Sequence, residues 1–77
     1  MFKKQKKTTP KQEFINFLEN QIIMAQGQEK SYVIFPIEKP DQAVWAKEYA
    51  QRRKFSITVS HQTEGIVYYN MKGWAVL

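Results

Sequence analysis

The 77-residue chain contains no cysteine. That excludes disulfides and thiolate metal sites and leaves stability to packing alone. Histidine occurs once, as His61, and aspartate once, as Asp41. A zinc centre needs three or four ligands of this kind, so no metal site and no cofactor is expected. The three glycines, Gly27, Gly65 and Gly73, stand alone. None belongs to a glycine-rich loop that could cradle a phosphate. No apolar run approaches the ~20 residues needed to cross a bilayer, so no membrane partner is expected. The basic start, Met1 to Lys7, is not followed by an apolar signal-peptide segment. The cytoplasm is the expected location.

Catalytic groupings are equally sparse. By strict alternation, His61 shares a face with Phe55, Ile57 and Val59 and ends a buried row. Ser60 then points to the opposite face, so the two are not a nucleophile and its base. Asp41 has a structural use as a helix cap, and Glu48 and Glu64 imply no carboxylate pair. No catalytic residue is assigned and no enzyme is expected.

What the chain does have is positive charge in one place. Twelve Lys and Arg against seven Asp and Glu give a net charge of +5. Lys3, Lys4, Lys6, Lys7 and Lys11 all precede the first acid, Glu13. From Gln12 onward acids and bases balance, so the excess belongs to the N-terminal arm. Residues 1–8 read as a basic flexible arm and residues 9–77 as one domain. A domain this small buries only about 60% of its unfolded surface and needs a compact core. The 43% apolar and 14% aromatic content suffices for one.

Periodicity supplies the elements. Thr9-Pro10-Lys11-Gln12 reads as a capping box with proline at the first helical position. Phe14, Ile15, Leu18, Ile22 and Ala25 follow on one helical face, and Gln26-Gly27 is the expected stop. The polar side of this helix has almost no cations, which argues against a membrane-surface helix. Ser31 to Ile37 is a nearly continuous apolar run of strand length. Pro36 cannot donate to a ladder, so the strand ends near Phe35 or lies at an edge. Pro40-Asp41 begins a second helix to Arg53, with Asp41 as its cap and Trp45, Ala46, Tyr49 and Ala50 inward.

The period then changes from helical to alternating. Phe55, Ile57 and Val59 alternate with Ser56, Thr58 and Ser60. Gln62 to Gly65 reads as a hairpin loop, Ile66 to Tyr69 as a strand, Asn70 to Gly73 as a turn, and Trp74 to Leu77 as a last strand. The expected fold is a two-layer α+β domain of order α-β-α-β-β-β. Helices Pro10–Gln26 and Asp41–Arg53 pack on one face of a mostly antiparallel sheet of three or four strands. The expected core is Phe14, Leu18, Ile22, Val33, Phe35, Trp45, Ala46, Tyr49, Ala50, Phe55, Ile57 and Val59.

Two functions from different classes follow. One is a small nucleic-acid-associated accessory or regulatory protein. Its phosphate contacts are the arm lysines Lys3, Lys4, Lys6, Lys7 and Lys11 with the cluster Arg52, Arg53 and Lys54. Tyr69, or its neighbour Tyr68, adds a stacking surface for bases. The lysine-, asparagine- and isoleucine-leaning usage resembles that of small accessory proteins of AT-rich bacteria or their phages. The alternative is a protein-interaction module, an inhibitor or adaptor. It would bind a partner or its own copy as a homodimer through an exposed edge containing Trp74 and Val76.

Overall fold

A computed structural model describes residues 9–75. The elements run α1 (Pro10–Gly27), β1 (Tyr32–Ile37), α2 (Pro40–Arg53), β2 (Ser56–Thr63) and β3 (Ile66–Lys72). The strands form one antiparallel sheet of order β1-β3-β2, and the two helices pack together on one face of it. This is the two-layer α+β fold expected from the periodicities. Val76 and the arm lysines Lys3, Lys4, Lys6 and Lys7 lie outside the described residues.

Each helix begins where proline fixes the first turn, but the caps differ from expectation. Thr9 Oγ1 accepts from the Gln12 backbone N–H at 3.0 Å. Gln12 does not reach back to complete a box; its amide donates to Asn16 Oδ1 at 2.9 Å. In α2 the cap position falls on Lys39 and Pro40 takes the first helical position. Asp41 is therefore inside the first turn, where its charge favours the helix dipole without capping it. Gln42 Oε1 instead accepts from the Glu38 N–H at 2.8 Å.

The helix ends share one device. Glu29 after α1 and Lys54 after α2 hold φ of 61° and 62°. The next residue then donates back to the last turn, Lys30 to the Ala25 carbonyl and Phe55 to that of Ala50, both at 2.8 Å. Gly27, the expected left-handed stop, remains inside α1.

The core lies between the layers. Phe14, Ile15, Leu18, Ile22 and Ala25 of α1 meet Ala46, Tyr49 and Ala50 of α2 over Val33, Phe35, Tyr69 and Met71 of the sheet. Phe14 gathers rings around it, with Phe35 at 6.2 Å and Trp45 at 6.1 Å. Trp45, Phe55 and Ile57 are half-buried at its margin.

Three expectations about the sheet are corrected. The first concerns residues 70–73, read as a turn. β3 continues through Asn70 and Met71 to Lys72, and Met71 is fully buried opposite Val33 and Ile57. A central strand paired on both sides outweighs the local turn chemistry of Asn70 and Gly73. The second concerns the last strand. No strand follows β3 among the described residues. Gly73, at φ 134°, lets the backbone pass so close to Phe55 that an added Cβ would sit 3.1 Å from its Cα. Trp74 then folds back against the Phe55 ring, centroids 5.2 Å apart, and donates from Nε1 to the Lys30 carbonyl at 3.0 Å.

The third correction concerns β2. Val59, expected in the core, is 63% exposed. It shares the face of its partner Tyr69, but the helices' cover of this strand ends at Ile57. Between Val59 and His61 the register shifts, with Ser60 as the extra residue. The bulge moves His61 out of the row of Ile57 and Val59 to stand opposite Tyr68.

Candidate functional site

Both helices occupy one side of the sheet, so the other side is open. Antiparallel registry arranges its side chains in three cross-strand rows. Tyr32, Lys72 and Ser56 form the first row. Ile34, Asn70 and Thr58 form the second, and Pro36, Tyr68 and His61 the third. Alternation explains the membership: residues two apart on one strand share a face, and Val33, Phe35, Tyr69 and Met71 are spent on the core. Pro36 is tolerated because β1 is an edge strand.

This face carries aromatic and apolar groups in water. Tyr32 and Ile34 are each 42% exposed. The Tyr68 and His61 rings lie flat on each other, centroids 4.6 Å apart with planes 9° apart. The bulge that displaces His61 creates this pair. It also brings Ser60 Oγ within 2.9 Å of His61 Nδ1, contrary to the expectation that they point apart. The bond belongs to the exposed bulge and is drawn edge-on from a ring whose face is covered by Tyr68.

Charge around the face is uneven. None of the three described strands contains Asp or Glu, and Lys72 is the one lysine among their residues. At the first row three lysines converge on one end of the sheet. Lys72 pairs across to Tyr32 and Ser56. Lys30 precedes Tyr32 by two residues, and Lys54 precedes Ser56 by two. Trp74 ties this end together by holding the Lys30 carbonyl and packing on Phe55. All three lysine side chains are exposed. Glu29 stands beside Lys30 at this end; at the opposite end Glu38 and Lys39 follow β1 and Glu64 lies in the β2–β3 turn.

The residues singled out from sequence fare differently. Arg53 is committed to the fold. Its Nη1 donates to the Tyr49 hydroxyl at 2.9 Å and lies 3.9 Å from Glu19. Its guanidinium also stacks over the Tyr49 and Phe55 rings at 5.5 and 5.3 Å. Lys11 pairs with Glu48 at 3.3 Å. Arg52 and Lys54 stay exposed at the end of α2. Tyr69 is buried against Phe35, so of the two neighbouring tyrosines only Tyr68 lies on the open face. Trp74 is buried and cannot form an open edge. Lys72, Tyr32 and His61 were missed as a group. Tyr68, Asn70 and Lys72 share parity, which would have revealed part of the row had residues 70–73 not been read as a turn.

Burial raises the Tyr49 hydroxyl pKa, and the adjacent Arg53 opposes that shift only in part. A groove of about 770 Å³ also opens between the first turns of the helices, floored by Phe14, Phe17, Pro36 and Trp45. Its rim mixes Lys11 and Lys39 with Glu13, Glu38 and Asp41, so it presents no field of one sign. Among the described residues no cluster of three or more His, Asp or Glu could hold a metal ion. No helix among them is long and apolar enough to cross a membrane. No protein-family model, no curated protein and no solved structure matches the chain.

Proposed function

We propose that this chain is a small nucleic-acid-associated accessory or regulatory protein that binds without catalysis. The observation that carries the reading is the open sheet face. Exposed Tyr32, and exposed His61 stacked on half-buried Tyr68, stand on strands that contain no carboxylate. Flat exposed rings are the groups on which bases stack, and a surface without acids does not repel phosphate. The lysine trio at the first row supplies phosphate contacts, joined by Arg52 and the arm lysines Lys3, Lys4, Lys6 and Lys7. Arg53 is left out, because its Nη1 is engaged by Tyr49 and Glu19 and its guanidinium lies over the Tyr49 and Phe55 rings.

The test is a salt titration of binding to single- and double-stranded DNA and to RNA. Each neutralised phosphate contributes a log-log slope of about −0.9 on duplex DNA and about −0.7 on single strands. Removing residues 1–7 deletes four lysines and should flatten the slope by up to ~3 on a single strand. The fold should survive, because α1 is capped only from Thr9. Absence of binding to any nucleic acid at low salt contradicts the proposal.

One observation favours a protein-binding role as the second reading. β2 is an edge strand of eight residues without a charged side chain, and Val59 is exposed on it. A partner or a second copy would add there, and not at Trp74. Sedimentation at high concentration and capture from cell extract distinguish this role from the first.

A further inference from the structure

We infer that the open sheet face takes a single-stranded segment of three unstacked nucleotides, one per cross-strand row, with Asn70 reading the middle base. The inference rests on the nucleic-acid reading and narrows it to one substrate class. Its basis is spacing. Consecutive rows are two residues apart along the strands, or ~6.7 Å. Bases along one strand of a duplex rise by ~3.4 Å. A strand can place successive bases on successive rows only if it is pulled out of its stack to about twice that spacing. A duplex, whose bases face each other and are covered above and below, cannot do so.

Each row offers a different surface. The first holds Tyr32 beside Lys72, a ring with a cation next to it for the adjoining phosphate. The third holds the Tyr68–His61 stack, in which each ring covers one face of the other and leaves one face uncovered by its partner. The middle row has no aromatic. Ile34 gives apolar contact, while Asn70 and Thr58 bring an amide and a hydroxyl, groups that both donate and accept. Stacking tolerates any base, whereas an amide discriminates among them. The two outer positions are therefore indifferent to sequence and the middle one selective. The lysines at the first row make that end of the face the more favourable one for phosphate, and the acids Glu38 and Glu64 stand beyond the third.

The experiment is fluorescence anisotropy of the full chain with DNA and RNA oligonucleotides of one to eight nucleotides and with matched duplexes, across a range of salt. Arm contacts grow with length, so the quantity read is affinity extrapolated to about 1 M salt, where counterion release vanishes. For single strands this intercept should rise up to three nucleotides and then level. Tyr32→Leu and Tyr68→Leu keep the apolar cover but remove the ring. Each should lower the intercept about 10-fold for single strands and leave duplex binding unchanged. Asn70→Ala should equalise trinucleotides that differ only in the middle base. Circular dichroism confirms that each variant is folded. Duplex bound as tightly as single strand, with both tyrosine variants unchanged, overturns the inference while nucleic-acid binding itself stands. No binding to any nucleic acid overturns the underlying reading and the inference together.

Discussion

Trp74 closes one end of the molecule through two contacts of different kinds, an edge-on ring contact with Phe55 and a hydrogen bond to the Lys30 carbonyl. Trp74→Phe keeps a ring but loses the bond, and should cost about 1 kcal/mol. Trp74→Ala loses both and should cost about 3 kcal/mol. Urea unfolding midpoints measure the two. An undisturbed midpoint in both variants would mean the ring is not part of the core. Tyr49 makes a separate prediction. Its raised pKa means the fold favours the neutral phenol. That contribution is complete below the unfolded value near ~10 and is lost as pH rises through the higher folded value. The stability difference between wild type and Tyr49→Phe should therefore be flat below about pH 10 and turn against wild type above it. At this scale sequence reading was weakest. Tyr68 and Tyr69 are neighbours of the same type, and only the pairing of Tyr69 with Phe35 and Val59 decides which one faces the helices. Arg53 looked like a free cation because nothing local reveals Glu19 on the other helix.

The elements were legible where the signal is local. Thr9-Pro10 and Pro40 mark helix starts by backbone chemistry alone, and the change of period after Lys54 marks β2. The hairpin between β2 and β3 is present but tighter than the expected Gln62–Gly65 loop: Gln62 and Thr63 belong to β2, Thr63 pairs directly with Ile66, and only Glu64 and Gly65, both at positive φ, form the turn. What failed depended on long-range pairing. Residues 70–73 carry turn chemistry, but Asn70, Met71 and Lys72 are held straight by β1 on one side and β2 on the other. The bulge at Ser60 has no sequence mark, yet it reverses the face of His61. The end of α2 offers a prediction that separates stability from binding. Lys54 sits in a left-handed conformation that costs a residue with a side chain roughly 1 kcal/mol or more. Lys54→Gly should raise thermal stability by several degrees for a domain of this size. It should also weaken nucleic-acid binding, because it removes one lysine of the trio. A glycine variant that is both more stable and equally tight in binding would remove Lys54 from the interface.

At the scale of the whole molecule, division of labour between the sheet faces is what the proposed function rests on. One face is consumed by Val33, Phe35, Tyr69 and Met71 under the helices. The other keeps rings, amides and hydroxyls in water, with lysines gathered at one end. The net charge of +5 could be located in the arm from sequence, but not the convergence of Lys30, Lys54 and Lys72, which are 24 and 18 residues apart in the chain. Only the β1-β3-β2 order and the Trp74 closure bring their backbones to one edge. The measurement that tests this division most directly is a nitrogen–proton NMR titration of the labelled full chain with a short single-stranded oligonucleotide. Shifts should concentrate on Tyr32, Ile34, His61, Tyr68, Asn70 and Lys72, with smaller changes at Lys30 and Lys54. Shifts confined to the outer surfaces of α1 and α2, with those six residues unmoved, would contradict the account.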